Sequence, residues 1–561
     1  MPPARPQARQ KPRSTPEPPE SPEGRNASSA GAARDPHAFT RKVLIIGLWC
    51  YLVVVPLRLQ FMASTFIGND SPFHARYASL FFSRIFARTF PTLAYSIWSR
   101  QWGDKEFLFH AYLAPFCLSE SFLMVGARLG AALLFAGVLV SLALILQRQR
   151  VPGALWWAAL LPALSLGWDW RMLMVRSHLA SVLLILWILF LFEQRRLKPL
   201  LILTFLYTWT YTAPYFALLL CAFMALGRWL VARLERAAPG QEPADGAPAG
   251  EPASTPSDRT LLLGCAGATL AGLLIHPQTP NQFLTDWLHL SLVATHAWGI
   301  TPTGAELGSE FQSETLREAF SLHPGILLCL ALAWLLAALL PGACGRRARL
   351  FLWMTLPAFA LYGLSGRFIE YLAPMTVWAL ALIVADAHAS LVRLAETFSR
   401  QSRALAALAA VLVVIGLHAY TLWMLDRHVW HPKQPVFTQE QAGRWLAAHA
   451  QPGDLVVPLD WTQFPWLYYW APRLRYVVGL EPTTMEVVYP EKLRYLEEVR
   501  LGKRDLDMQE MRQVFPDARY VVVWAASGDA AARLAHKNYV PVFAGPDALV
   551  YDVTNYLPGK K

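Results

Sequence analysis

Nine residues carry the densest chemistry in the chain. They run Gly68-Asn69-Asp70-Ser71-Pro72-Phe73-His74-Ala75-Arg76. An acid, an imidazole and a guanidinium follow within seven positions of one another, directly after an apolar run, Val43–Met62, interrupted only by Arg58 and Gln60. About 20 helical residues cross the ~30 Å hydrocarbon core of a bilayer, so this run reads as a membrane span and the polar segment as the head of a loop at the headgroup level. A bare carboxylate there is placed to take a proton from an acceptor or to hold a metal ion. The same spacing also reads as a helix start, because Asp-Ser-Pro puts a capping acid just ahead of a proline in the first turn. Both readings of Asp70 stand at this level.

Three further segments carry ionisable groups beside apolar runs. Trp168-Asp169-Trp170-Arg171 is followed by Arg176 and His178. Glu306, Glu310 and Glu314 lie further on, and Arg367, Glu370 and Tyr371 sit in Arg367-Phe368-Ile369-Glu370-Tyr371-Leu372-Ala373-Pro374. Ionisable groups at a membrane boundary are costly, so each is a candidate for binding or catalysis. Arg367 is the sharpest, since a guanidinium can hold a phosphate through two parallel hydrogen bonds. It also reads as a snorkelling interfacial arginine or as the partner of Glu370. His178, His276 and His289 read more simply as packing or loop histidines.

The elements that must position these residues are membrane helices. Hydrophobic residues make up 55% of the 561 and charged residues only 16%, against about a quarter charged in soluble chains. Apolar blocks at 43–62, 128–146, 155–166, 178–192, 199–211, 214–231, 260–275, 323–340, 350–364, 371–385 and 404–425 predict about 11 transmembrane helices. The net charge of +11 comes from the N-terminal tail and from arginine clusters between spans. These fall at Arg148/Arg150, Arg195/Arg196, Arg228/Arg233, Arg346/Arg347 and Arg393/Arg400. Every cluster lands on the same side as the N-terminus, which sets a cytoplasmic face and argues against nucleic-acid binding. Six cysteines lie in or beside apolar runs at spacings that suit neither zinc nor a disulfide framework.

Residues 1–40 are expected to be a disordered cytoplasmic tail, being rich in Pro, Arg, Ser and Ala. Residues 41–426 are expected to be the transmembrane domain, with long outward loops at 63–126 and 276–322. Within the first, 81–98 is expected to be an amphipathic helix lying on the headgroups. Residues 427–561 are expected to be a small extracytoplasmic α/β domain with a mostly parallel sheet, from strands near 454–459, 520–524, 539–542 and 549–551 and helices near 438–450, 490–500 and 530–536.

The chain resembles the polytopic C-type (GT-C) membrane glycosyltransferases. Asp70-Ser71-Pro72-Phe73-His74-Ala75-Arg76 resembles the acid-led opening of their first outward loop. Arg367-Phe368, Tyr371 and Pro374 resemble their late-span arginine segment, and Trp209-Thr210-Tyr211-Thr212-Ala213-Pro214-Tyr215 a mid-chain helix break. The tail segments Asp460–Pro465 and Tyr476–Pro482 are similar to those of bacterial members. Asp169 stands alone rather than in an Asp-x-Asp pair, and no Trp-Trp-Asp motif is present, so metal dependence and protein acceptors stay open. The resemblance implies transfer of a sugar from an undecaprenyl- or dolichyl-phosphate donor to a lipid, glycan or protein acceptor at the outer face of the cytoplasmic membrane. It implies Asp70, His74 and Asp169 as catalytic residues. Arg76, Arg176, His178, Glu306, Arg367, Glu370 and Tyr371 are the implied substrate-binding set. The resemblance implies no definite cofactor, and a divalent ion such as magnesium or manganese is compatible with the acids. A transporter or lipid flippase, or an envelope scaffold, is the alternative class; transporters place charges near the midplane and show internal repeats, whereas here the charges gather at one face.

The basic-loop parity predicts opposite sides for the Arg148 loop and residue 430. Reporter fusions at the two positions are expected to read cytoplasmic and extracytoplasmic respectively, and the same side for both would contradict the span count.

Overall fold

The computed structural model describes residues 38–237, 255–297, 312–431, 438–525, 534 and 537–556. Glu306 and Glu310 and most of the helix expected at 530–536 lie outside these residues. Each of the eleven apolar blocks coincides with helix. Six helices are long and apolar enough to cross a membrane among the described residues, and Leu316–Leu322 with Pro324–Leu339, bent by 96° at their junction, makes a seventh if the pair is one span. Ala154–Leu160, His178–Glu193 and Leu197–Thr208 are apolar but shorter. The chain is therefore a multi-pass membrane protein, with several helices that need a partner or tilt to reach across.

Specific polar contacts fix the helix ends that matter. Arg128, buried at the start of Leu123–Arg148, donates to the carbonyls of Gln60 and Ala63 at the end of the first span, the latter at 2.6 Å. The chain then turns at Gly68, whose φ of +80° only glycine adopts without strain. A Cβ there would also lie 2.8 Å from Met174 Cγ. Deeper in the bundle, Ser181 Oγ bonds the hydroxyls of Tyr207 (3.0 Å) and Tyr371 (2.7 Å). One serine thus joins His178–Glu193, Leu197–Thr208 and Ile369–Glu396. Two turns further along that last helix, Trp378 stacks on Phe351 with centroids 4.1 Å apart.

The C-terminal segment carries five strands: β1 (Leu455–Pro458), β2 (Arg475–Tyr476), β3 (Ala518–Trp524), β4 (Phe543–Ala544) and β5 (Ala548–Asp552). Their order is β2-β1-β3-β5-β4. β2, β1 and β3 are parallel, whereas β5 is antiparallel to both β3 and β4. The sheet is mixed, not mostly parallel as expected, because β4 returns to β5 across a short hairpin and a hairpin can only be antiparallel.

Side chains along β3 alternate between two cores. Val521 and Val523 join Leu493, Leu496 and Met511 on one face. Tyr520 and Val522 join Phe464, Tyr468, Phe90 and Trp102 on the other. Phe73, Tyr77, Phe90, Leu93, Trp98 and Trp102 of that second core come from the loop that follows the first span. Tyr476 N donates to Thr92 O at 2.7 Å, and Ala94 N donates to Tyr476 O at 2.9 Å. The loop therefore occupies the β2 edge, which would otherwise offer unpaired backbone groups. This pairing is why 81–98 is not the amphipathic helix expected. Only Phe81–Arg84 is α-helical, and the chain beyond it runs through turns and a short 3-10 turn at Ile97–Ser99.

Candidate functional site

Asp70 immediately precedes the helix Ser71–Ser79, and its carbonyl accepts from His74 N at 3.1 Å. Its side chain makes no capping hydrogen bond. The carboxylate instead meets Arg176 Nη2 at 3.1 Å. The acid thus meets a cation of the segment 168–177 and makes no side-chain cap on its own helix.

One turn on, His74 points into a buried group that the sequence reading left incomplete. Its Nδ1 lies 3.0 Å from His110 Nε2 and 3.5 Å from Glu106 Oε2. The two rings stack, with centroids 5.2 Å apart. His110 Nδ1 is held by the Asp104 carboxylate at 2.8 Å. Glu106 Oε1 accepts from Ser177 Oγ at 2.6 Å and from Thr212 Oγ1 at 3.5 Å. Glu106 and His110 come together because Glu106 starts the helix Phe107–Leu113, which aligns positions four apart. The Glu-x-x-x-His spacing at 106–110 was the signal available in the sequence. Gly103 precedes this run where a Cβ would lie 2.8 Å from the backbone of Gln282. That close approach lets Gln278 Oε1 accept from Asp104 N at 2.5 Å.

Lys105, between the two acids, faces a different set. Its Nζ lies 2.6 Å from Glu481 Oε1 and 2.8 Å from His289 Nε2, and His289 Nε2 is 3.2 Å from Glu481 Oε2. His289, expected to be a packing residue, is thus the middle of an ion-paired cluster. Glu481, from the tail segment Tyr476–Pro482, brings the C-terminal segment to the loop.

A second set lies at the late-span segment. The Arg171 guanidinium pairs with Glu370, and His178 Nε2 bonds Arg171 O at 2.7 Å. Arg367 Nη2 donates to the Tyr211 hydroxyl at 3.2 Å. Glu370, one of the partners the sequence offered for Arg367, pairs with Arg171, which the short helix Leu166–Met172 carries to it. Tyr211 and Thr212 belong to the break between Leu197–Thr208 and Phe216–Ala237. One reaches Arg367 and the next reaches Glu106, so this break joins the two sets.

Other candidates are engaged elsewhere. Arg76 donates to Tyr469 O at 2.9 Å and to Glu120 at 2.5 Å, and it lies over the Tyr469 ring. Tyr371 gives its hydroxyl to Ser181. Asp169 is fully buried, and neither carboxylate oxygen has a hydrogen-bond partner among the described residues.

Burial sets the protonation of the loop groups. It holds His74 down at about 3, helped by His110, Arg176 and Lys105 against the pull of Glu106. Burial alone would raise the Glu106 carboxyl, but His74, Lys105, His110 and the Ser177 hydroxyl hold it well below the usual carboxylate range. Burial likewise lowers His289 to about 4, against Glu481 and with Lys105 and Arg367. At neutral pH His74 and His289 are therefore neutral and Glu106 is ionised. The residues His74, Glu106 and His110 each offer a ligand atom within 4.8 Å of the others, so they are also the group able to hold a metal ion.

No family model and no curated protein matches the sequence. Solved structures do. The archaeal oligosaccharyltransferase AglB from Archaeoglobus fulgidus, in complex with an inhibitory peptide and a dolichol-phosphate, superposes with a TM-score of 0.58 at 13% identity, over 90% of this chain and 73% of that one. ArnT from Cupriavidus metallidurans, bound to undecaprenyl phosphate, superposes with a TM-score of 0.52 at 13% identity, over 93% and 100%. This chain has the GT-C fold. Within that GT-C frame, both residue sets gather around the loop that follows the first span and the helix ends that meet it.

The buried imidazoles make stability depend on pH. A histidine held at about 3 or 4 when folded and near 6.5 when unfolded lets the unfolded chain bind more protons, so stability falls as pH falls below about 6.5. Ionised Glu106 acts in the same direction, because its folded value is the lower one. The melting temperature is expected to drop between pH 7.5 and pH 5, and His74→Gln is expected to flatten that dependence. An unchanged slope in the variant would contradict a neutral, buried His74.

Proposed function

We propose that the protein transfers a sugar from a polyprenyl-phosphate donor to an acceptor at the outer face of the cytoplasmic membrane. In this reading the N-terminus is cytoplasmic and residues 427–561 form the extracytoplasmic part that positions the acceptor. The observation that carries the proposal is a gathering of acids and cations at neighbouring helix ends: Asp70 against Arg176, Lys105 against Glu481 and His289, and Arg367 on Tyr211, whose chain neighbour Thr212 reaches Glu106. The GT-C fold supports it, as do the dolichol-phosphate and undecaprenyl phosphate held by the two solved structures.

The chemistry follows from what each group can do. No nucleotide sugar is expected outside the cytoplasm, so the lipid brings the activated sugar. Asp70 takes the proton from the acceptor hydroxyl as that oxygen forms its bond to the anomeric carbon. The bond from that carbon to the phosphate oxygen breaks on the opposite face, and its electron pair leaves with the polyprenyl phosphate. Arg367, with Lys105 and Arg176, stabilises the charge that develops there, in an electrostatic role that needs no movement of the protein. The anomeric configuration is inverted.

The test is transfer by the purified chain with labelled polyprenyl-phosphate sugars. Asp70→Asn is expected to abolish transfer while leaving the melting temperature nearly unchanged, because no capping bond is lost and the amide oxygen still faces Arg176. Arg367→Lys is expected to keep the charge but lose the two-pronged phosphate contact. Charge-assisted hydrogen bonds contribute roughly 1.5–3 kcal/mol, so turnover or donor affinity should fall by about 10- to 100-fold. Near-normal transfer by Asp70→Asn would remove it as the base. Wild-type kinetics in Arg367→Lys would move the donor phosphate to Lys105 and Arg176.

A further inference from the structure

The transfer chemistry leaves the buried group His74, Glu106 and His110 without a task. Two nitrogens and a carboxylate oxygen lie within 4.8 Å of one another, from residues that are all buried. The two nitrogens are 3.0 Å apart. Ligands placed ~2.0–2.1 Å from a shared ion take up such a separation when they meet it at roughly a right angle.

The surroundings are those of a supported ligand set. Asp104 binds His110 Nδ1 at 2.8 Å, so that nitrogen carries the proton and Nε2 presents its lone pair toward His74. Carboxylate-backed histidines of this kind are a recurrent outer shell of metal sites. Ser177 and Thr212 hold the other oxygen of Glu106, leaving Oε2 toward the histidines. His74 needs only to carry its proton on Nε2 instead of Nδ1.

We propose that His74, Glu106 and His110 bind a zinc-class divalent ion, with Asp104 as the positioning residue behind His110. Two imidazole nitrogens and one carboxylate favour zinc or cobalt over magnesium, which prefers an all-oxygen octahedron. This differs from the magnesium or manganese compatible with the outward acids. The fourth position falls to water or to a substrate oxygen. An ion there would also tie the helix Ser71–Ser79 to the helix Phe107–Leu113, and so fix the approach of Asp70. The proposal stands apart from the transfer reading, because it is read without substrate.

The experiment uses the full-length protein in detergent, stripped with a chelator and then given zinc, cobalt or magnesium singly. Elemental analysis after desalting is expected to find one zinc per chain and no retained magnesium. Cobalt is expected to give the visible absorption of a low-symmetry, four- or five-coordinate ion, and zinc to raise the melting temperature. Glu106→Gln and His110→Gln are expected to lose the ion. Asp104→Asn, which leaves all three ligands in place, is expected to weaken zinc binding by about 10- to 100-fold. A folded wild-type protein that retains no zinc and shows no cobalt spectrum would overturn the proposal, and would make the group a closed hydrogen-bond network. Equal zinc retention by wild type and His110→Gln would overturn it too, by placing the ion elsewhere. Either failure leaves the transfer assays untouched.

Discussion

Three consecutive ionisable residues, Asp104, Lys105 and Glu106, are withdrawn from water, and much of the outer part of the molecule is arranged to pair them. Burying an unpaired charge is prohibitive, so each must find a partner with good geometry. The Asp104 carboxylate takes His110 from the next helical turn, and its backbone N–H donates to Gln278 Oε1 across the close approach at Gly103. Lys105 takes His289 and Glu481, from the third outward loop and the C-terminal segment. Glu106 takes His74, Ser177 and Thr212, from three different segments. Four stretches of chain distant in sequence are thereby held to one short loop.

That clamp gives the membrane boundary its order. A polar loop at the end of a span has no hydrophobic reason to adopt one conformation. Here its backbone is fixed at the β2 edge, and its aromatic residues Phe90 and Trp102 fill one face of the sheet. With the loop fixed, Asp70 and Arg176 meet at the mouth of the bundle, and the helix break at 209–215 delivers Tyr211 and Thr212 to the two halves of the network. The tyrosine and serine hydroxyls between Tyr371, Ser181 and Tyr207 hold the helix that carries Arg367 and Glu370. Reactive groups on loops, positioned by a rigid helical frame, are the usual division of labour.

Much of this was legible in the sequence because membrane helices write themselves as apolar blocks, and all eleven blocks coincide with helix. The acid after the first span and the late arginine segment were legible for the same reason, since charges beside such blocks stand out. The span count was less so, because helices such as Leu197–Thr208 are apolar yet short. The pairing of Asp70 with Arg176 was illegible, being a contact across more than a hundred residues that local spacing cannot encode. Glu481 and His289 were illegible for that reason: a lone acid in a soluble tail and a lone histidine on a helix have no pattern until folding joins them to Lys105. Glu106 and His110 are the instructive case. Their four-residue spacing was visible, but it lay inside a segment dominated by aromatics, and its meaning depends on His74 lying 32 residues upstream of Glu106 in the chain. The region 81–98 failed for a related reason, since its apolar and basic residues suit a sheet face as well as a headgroup layer.

The most direct measurement is a structure of the purified protein in lipid nanodiscs with polyprenyl phosphate bound. The account predicts phosphate density at the outer helix ends, within hydrogen-bond reach of the Arg367 guanidinium and beside the Lys105 and Arg176 cations, with Asp70 facing the open side. Phosphate density at the arginine clusters on the opposite face, or against the outer network but out of reach of all three cations, would contradict it.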